Sequence, residues 1–206
     1  LEKMEREQNL LNACCAAILL FGLSFSTHAA LESRLAGQAY YDTALDITWA
    51  TDTSSGAAAG WFTQVAWVET LTIGGVDGWR LPSVDVNGDG VVMDCASGSS
   101  LSCVDNEFSH LYWEEGISPS SPGPFLNADS GRIFWSATPF APSPFSRAWL
   151  FVFTDDFPES RSVTNGVTAG AWAVHDGDVG TLVPIPMALW LFASGTLSLT
   201  GMRRRH

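Results

Sequence analysis

Hydrophobic and polar positions in the middle of the chain predict short strands and two helices. Residues 38–51 alternate as two strands around a polar turn, which is the pattern of a β-hairpin. From residue 61 to residue 72, apolar side chains recur every three or four positions and form one face of a helix. Gly74 and Gly75 end this helix, because glycine readily adopts the conformation that follows a helix C-terminus. Residues 79–82 are predicted to form a short buried strand that a proline closes.

A second helix is predicted over residues 106–115, with Asp105 as its N-cap and Gly116 as its stop. Its inward face carries Phe108, Leu111 and Tyr112. Three further strand-like runs cover residues 132–137, 147–154 and 171–175. Two helices, five or six strands and long irregular loops predict an α+β fold with a mainly antiparallel sheet.

Two long apolar segments flank this middle part. Residues 10–25 are followed by small residues, which predicts a signal peptide over residues 1–30; an uncleaved anchor or a buried helix is the alternative. Residues 182–202 would be about 30 Å long as a helix, enough to cross a bilayer. The arginines at 203–205 would stay cytoplasmic, because positive charge is retained on that side. The sequence therefore predicts an exported domain over residues 31–182.

Composition and charge narrow the function of this domain. The 206-residue chain has a formal net charge of -12. Residues 31–182 alone hold 19 acidic and 5 basic residues, a net charge of -14. Such a domain repels phosphate, so nucleic-acid binding is excluded. The 12% of aromatic residues and the 16% of charged residues also argue against a disordered acidic tail.

Cys95 and Cys103 lie between the two apolar segments, with seven residues between them. In an oxidising compartment this pair predicts a disulfide. A short loop closed in this way is stabilised by about 2–3 kcal/mol in the chain-entropy model. A metal–thiolate site is the alternative, but neither a Cys-x-x-Cys motif nor a neighbouring histidine supports it.

The stretch over residues 85–94 carries the clearest candidate chemistry. Its oxygen-bearing side chains and its glycine follow the spacing of the first half of an EF-hand calcium loop. The candidate ligands are Asp85, Asn87, Asp89, the Val91 carbonyl and Asp94. Ala96 stands where the loop would have its bidentate glutamate. The pattern predicts a structural Ca²⁺ site of modest affinity; an acidic Asx/Gly turn that holds no metal is the alternative.

No catalytic motif is recognisable, since the chain has no Gly-x-Ser-x-Gly, His-Glu-x-x-His or phosphate-binding glycine loop. His110 and His175 are expected to be packing or surface residues. Five tryptophans in strand-like runs are expected in the core: Trp49, Trp79, Trp135, Trp149 and Trp172. Trp113 is expected to be exposed, and with residues 119–125 it forms a candidate ligand-binding site.

The tail over residues 183–206 begins with Val183, Pro184, Ile185 and Pro186, continues through an apolar run and ends in arginines. This order resembles the PEP-CTERM sorting signals of Gram-negative bacteria, in the variant that begins Val-Pro-Leu-Pro-Ala. The resemblance implies that an exosortase-type enzyme cuts the tail and releases the domain to the cell envelope or extracellular matrix. Ile185 and Met187 depart from the motif, and a plain stop-transfer anchor is the alternative.

An ordered series of short motifs runs through residues 31–182. Its main stations are Tyr41-Asp42, Leu45-Asp46-Ile47-Thr48-Trp49, Asp77-Gly78-Trp79-Arg80-Leu81-Pro82, His110-Leu111-Tyr112, Phe134-Trp135-Ser136-Ala137-Thr138 and Ala171-Trp172-Ala173-Val174. The series resembles the Lcl C-terminal domain family of bacterial extracellular modules, although that family usually has an arginine where His175 stands. The resemblance implies a C-type-lectin-like fold and a role in adhesion or glycosaminoglycan binding.

The net charge of -14 opposes binding of sulfated chains unless Ca²⁺ bridges them. A neutral exopolysaccharide, a surface protein or a structural role in the matrix is more consistent with this charge. We therefore expect an exported, non-enzymatic binding or adhesion module. The alternative is a hydrolase of envelope polymers that uses dispersed carboxylates, which requires two carboxyl groups about 5–10 Å apart in a cleft, one with a raised pKa.

Overall fold

The computed structural model describes residues 31–53, 56–95, 103–129 and 131–180. The predicted signal peptide over residues 1–30 and the predicted sorting signal over residues 183–206 lie outside these described residues. Within them, no helix combines the length and the apolar character that are needed to cross a bilayer. The described part has an α+β fold, which confirms the predicted class.

The strands of the described residues form two antiparallel sheets rather than the single sheet that was predicted. In chain order the elements are β1 (Leu31–Arg34), a 3-10 helix (Leu35–Gly37), β2 (Ala39–Asp42), β3 (Ile47–Ala50), α1 (Trp61–Val68), α2 (Glu107–Trp113), β4 (Arg132–Pro139), β5 (Arg147–Phe153), β6 (Glu159–Thr164) and β7 (Val174–Asp176). The four-stranded sheet has the order β1-β2-β3-β7, and the three-stranded sheet has the order β4-β5-β6.

The predicted hairpin is confirmed as β2 and β3, which pair from Ala39 opposite Ala50 to Asp42 opposite Ile47. Asp42 closes the turn, because its Oδ1 accepts hydrogen bonds from the backbone N–H groups of Ala44 and Leu45. All four residues of β3 are buried, since this strand lies between β2 and β7 with both of its faces covered.

Helix α1 begins at Trp61 as predicted but ends at Val68, four residues before the predicted end. The hydroxyl of Thr70 donates to the carbonyl of Trp67 at 2.8 Å, and the backbone N–H of Thr70 donates to the same oxygen. A threonine side chain that bonds a helix carbonyl competes with continuation of the helix. Gly74 therefore lies in the following loop and does not end α1.

Helix α2 is confirmed, but its N-cap is Asn106 and not Asp105. The Asn106 Oδ1 accepts a hydrogen bond from the backbone N–H of Ser109 at 3.1 Å. Gly116, with φ of +70°, reverses the chain after the helix, which confirms the predicted stop. The predicted inward face is also confirmed, since Phe108, Leu111 and Tyr112 are buried.

Several strand predictions need correction. The segment at residues 79–82 forms only one bridge, between Arg80 and Val174, although Trp79 and Leu81 are buried. The predicted run 171–175 becomes a strand only from Val174 onward. Strands β1 and β6 were not predicted. The six residues of β6 contain one large apolar side chain, so this edge strand carries no hydrophobic alternation.

In the described part of the chain, the core consists of two clusters of buried side chains. Trp49 and Trp172 lie in the first cluster with the buried face of α2, and Trp79 and Trp135 lie in the second. These four tryptophans are fully buried, as predicted. Trp149 is only partly buried and packs against the first cluster. Burial of the indoles removes these four rings from any surface on which a sugar could stack.

Candidate functional site

The loop between residues 83 and 95, which we call the acidic loop, is the main candidate site. Three carboxylates converge on it. Asp85, Asp89 and Asp105 each place one carboxylate oxygen within 4.8 Å of a carboxylate oxygen of the other two. Asp89 is exposed, and the other two residues are partly exposed. Three carboxylate oxygens in one place are the hard ligands that Ca²⁺ prefers, although Ca²⁺ takes six to eight oxygens in all.

Backbone N–H groups wrap around the side chains of this loop. Asp85 accepts hydrogen bonds from the N–H groups of Asp89 at 3.1 Å and Gly90 at 3.0 Å. Asp89 in turn accepts from the N–H of Val91 at 2.7 Å, and the Asn87 Oδ1 accepts from the N–H of Asp89 at 2.8 Å. Gly90 has a φ of +84°, a conformation that glycine adopts without strain. The loop therefore curls as its spacing predicts, with Asp85, Asn87, Asp89 and Val91 all taking part.

Asp94 does not join this group, contrary to the sequence prediction. Its Oδ2 accepts a hydrogen bond from the backbone N–H of Ser160 at 2.8 Å, and its Oδ1 accepts from Asn106 at 3.3 Å. Burial raises the pKa of Asp94, and the hydrogen bonds from Ser160 partly offset that rise. A raised carboxyl pKa is one condition for the hydrolase alternative. Because both oxygens are engaged by Ser160 and Asn106, however, the contacts favour a structural role for Asp94.

Asp105 takes the place that Asp94 was expected to fill. Its Oδ1 accepts from the N–H of Asn87 at 2.9 Å, and its backbone carbonyl accepts from the N–H of Val86 at 3.0 Å. The predicted disulfide between Cys95 and Cys103 is confirmed, with the two Cα atoms 5.9 Å apart. This bond returns the chain to the loop just before Asp105. The signal that could have found Asp105 was its position two residues after the second cysteine.

Exposed aliphatic side chains occur within the acidic loop and just before Asp105. Val86, Val91, Met93 and Val104 are each about half exposed, which is unusual for apolar side chains so close to one another along the loop and its disulfide-linked return. We call these four residues the aliphatic rim. A carboxylate centre with an apolar border differs from an ordinary solvated acidic loop, because apolar side chains gain when a partner covers them.

The predicted ligand site around Trp113 is not formed as expected. Trp113 is half-buried, packs against the first core cluster and meets the Tyr112 ring edge-on at 4.7 Å. Its Nε1 is buried without a hydrogen-bond partner. Phe125, at the end of the adjoining loop, is buried against Trp172. These rings stabilise the core and do not form an open stacking platform.

A shallow cleft of about 350 Å³ lies beside the 3-10 helix. Its lining includes Gln38, Thr51, Leu71, Ile73 and Leu126. The polar side chains Gln38 and Thr51 already donate to the backbone carbonyls of Leu35 and Gly37. None of the described lining residues is aromatic, so the cleft suits an aliphatic group better than a stacked sugar ring.

A second cluster of ionisable groups is buried beneath the surface, and it combines Asp42, His110 and Glu115. The His110 Nε2 lies 3.5 Å from the Asp42 Oδ2 and 3.6 Å from the Glu115 Oε1. The three side chains are 0%, 5% and 4% exposed, respectively, for Asp42, His110 and Glu115. Burial opposes a charged imidazolium, but the two carboxylates outweigh burial and raise the pKa of His110 to about 9. For Asp42, burial acts to raise the pKa of the carboxyl group, but His110 and the turn N–H groups lower that pKa overall.

His110 was predicted to be a packing or surface residue, and nothing in the sequence connected it with the two acids. Asp42 ends β2, whereas His110 and Glu115 belong to α2 and the turn after it. His175, the other histidine of the described part, packs its ring edge-on against Trp79 at 5.7 Å, as expected of a packing residue. Only the tertiary fold brings Asp42 to His110.

Comparisons with known proteins do not assign a function to the acidic loop or to the buried cluster. No protein-family model matches the chain. A search of the curated proteins finds no match either. Functional conclusions therefore rest on the residues, their contacts and their charges.

Proposed function

We propose that this chain is an exported, non-enzymatic binding and adhesion module of the cell envelope or extracellular matrix. It recognises a neutral exopolysaccharide or a surface protein. The resemblance to the Lcl C-terminal domain family, with its C-type-lectin-like fold, is part of this proposal. So is delivery by a signal peptide over residues 1–30 and an exosortase-processed tail over residues 183–206.

The observation that carries the proposal is the acidic loop with its aliphatic rim. Asp85, Asp89 and Asp105 converge at the surface, where a bound Ca²⁺ would lie in the same loop as the exposed aliphatic rim. A cation at this place would offset part of the local negative charge and provide a ligand position for hydroxyl or carbonyl oxygens. The buried tryptophans support this mode over stacking of sugar rings on indoles.

Calcium is expected to raise the melting temperature of the full chain, purified in a mild detergent. At a calcium concentration about 100 times the Kd, binding contributes about 2.7 kcal/mol. For a domain of this size that corresponds to about 5–10 °C. Asp105→Asn should abolish the calcium-dependent rise in melting temperature, because it removes one of the three charged carboxylates that converge in the loop. Differential scanning calorimetry with calcium or with EDTA measures the effect.

The matched control is Glu69→Gln, which neutralises an exposed carboxylate after α1 that does not belong to the loop. This variant should keep the calcium shift of the unaltered chain. An Asp105→Asn protein with a full calcium shift would contradict the assignment of the loop, whatever its basal stability.

The proposed function itself is tested on an array of neutral and acidic polysaccharides, probed with the same three proteins. We expect binding to neutral glycans that EDTA and Asp105→Asn abolish and that Glu69→Gln preserves. Calcium-dependent binding to an envelope protein, with a silent array, would favour the protein partner. Absence of binding to both classes would contradict the binding module.

A further inference from the structure

We propose that the buried cluster of Asp42, His110 and Glu115 is a binding site for a divalent transition-metal ion, with Zn²⁺ as the ion that fits best. This site is separate from the acidic loop and shares none of its residues. It requires no ligand of the binding module, so it goes beyond the proposed function.

The donor atoms of the cluster are spaced like the ligands of a metal ion. Separations of 3.5 and 3.6 Å from the His110 Nε2 are too long for N–H···O hydrogen bonds. The Asp42 Oδ2, the His110 Nε2 and the Glu115 Oε1 all lack hydrogen-bond partners although they are buried. Zinc bonds of about 2.0–2.2 Å in tetrahedral geometry place neighbouring ligand atoms about 3.4 Å apart. The observed separations match the edges of such a tetrahedron more closely than they match hydrogen bonds.

The cluster also holds negative charge that no cationic side chain balances. Two ionised carboxylates and a protonated imidazole leave one uncompensated negative charge, and a neutral imidazole leaves two. Among the described residues, no arginine or lysine forms an ion pair with Asp42 or Glu115. Burial of unpaired charge is costly, whereas buried charges that coordinate a metal are common. A divalent cation on the two carboxylates and a neutral His110 makes the cluster electrically neutral.

Backbone hydrogen bonds already hold the ligand side chains in place. The Asp42 Oδ1 is occupied by the N–H groups of Ala44 and Leu45 at 3.0 and 3.1 Å, which leaves Oδ2 facing His110. The N–H of Glu115 donates to the carbonyl of His110 at 3.2 Å and keeps the two side chains together at the end of α2. Hydrogen bonds that fix ligands in this way are typical of metal sites.

The ligand set also distinguishes this site from the acidic loop. One imidazole and two carboxylates suit Zn²⁺ and related transition metals. Calcium takes six to eight oxygen ligands at 2.3–2.6 Å, and a buried site with a nitrogen ligand does not provide them. The two sites should therefore fill independently, the loop with calcium and the buried cluster with zinc.

The experiment compares Glu115→Gln with its neighbour Glu114→Gln in the full chain, stripped of metal with a chelator. Glu115 has a side chain that is 4% exposed in the cluster, whereas Glu114 is exposed to solvent. Cobalt(II) replaces zinc as a spectroscopic probe, and calorimetric titration gives the zinc affinity. We expect visible cobalt absorption and one zinc per chain in the unaltered protein and in Glu114→Gln. Glu115→Gln should lose the cobalt absorption and bind zinc about 100-fold more weakly.

Folding of the variant is checked separately. Glu115→Gln removes one of the two carboxylates that raise the pKa of His110, so at pH 7 the metal-free variant should melt somewhat below the metal-free unaltered protein yet keep its circular dichroism spectrum. Asp42→Asn is the second variant, and it should also lose the cobalt absorption. An unaltered protein with neither cobalt absorption nor a zinc-dependent rise in melting temperature would overturn the proposal. Full cobalt absorption in Glu115→Gln would overturn it as well.

Discussion

Replacing Trp172 with alanine is expected to lower the free energy of unfolding by about 3–5 kcal/mol, the typical cost of deleting a buried tryptophan. Trp172 is fully buried at the centre of the first core cluster. Five aromatic rings contact it with centroids between 4.9 and 6.4 Å away: Phe125, Trp49, Phe134, Phe153 and Phe108. Its Nε1 also donates to the carbonyl of Ala50 at 2.9 Å, so the substitution leaves that acceptor without its partner. Urea denaturation followed by circular dichroism measures the loss.

Phe145→Ala is the control for this substitution, because the Phe145 side chain is 90% exposed. It should change the free energy of unfolding by less than about 0.5 kcal/mol. A Trp172→Ala protein as stable as Phe145→Ala would contradict the placement of Trp172 between the two sheets and α2. The total free energy of unfolding of such a domain is only about 5–15 kcal/mol, so the loss expected for Trp172→Ala is large.

Glu107→Ala is expected to destabilise the domain by about 3 kcal/mol, because it leaves a partly buried guanidinium without its main partner. The Glu107 carboxylate binds both terminal nitrogens of Arg80, at 2.7 and 2.9 Å. The same carboxylate accepts from the backbone N–H of Ser83 at 2.7 Å. Arg80 is the residue that bridges to β7, so Glu107 ties α2 to the four-stranded sheet. Thermal and urea denaturation measure the effect.

Asp176→Asn supplies the comparison for Glu107→Ala, since it removes the other acidic partner of Arg80 but has a side chain that is 77% exposed. An exposed ion pair contributes about 0–1 kcal/mol. Equal losses of unfolding free energy in Glu107→Ala and Asp176→Asn would show that burial of the Glu107 carboxylate adds nothing to stability. Because Ser83 begins the acidic loop, Glu107→Ala should also reduce the calcium-dependent rise in melting temperature.

Local signals were sufficient for the β2–β3 hairpin and for α2. Alternation over residues 39–50 and the turn chemistry of Asp42 are both encoded within a few positions. Helix α2 carries its apolar face and its glycine stop in one short segment. The predicted end of α1 was wrong by four residues because a single side chain, the hydroxyl of Thr70, occupies the carbonyl of Trp67.

The candidate sites depended on contacts between distant segments, which spacing along the chain does not encode. The EF-hand pattern predicted the acidic loop, but it could not show that Asp94 turns to Ser160 on β6. Asp105 was misread by one position, since Asn106 caps α2 and leaves Asp105 for the loop. The buried cluster combines β2 with the end of α2, more than sixty residues apart, and no local motif marks it.

The Cys95–Cys103 bond makes the geometry of the acidic loop depend on the oxidation state of the compartment. With the bond formed, the two cysteines are held together and Asp105 lies next to Asp85 and Asp89; with free thiols, this covalent link between residues 95 and 103 is lost. A newly made chain in a reducing cytoplasm thus lacks one of the constraints that assemble the proposed calcium ligands. For a domain exported as we propose, this constraint would form only after thiol oxidation, which would disfavour calcium binding before the domain crosses the membrane.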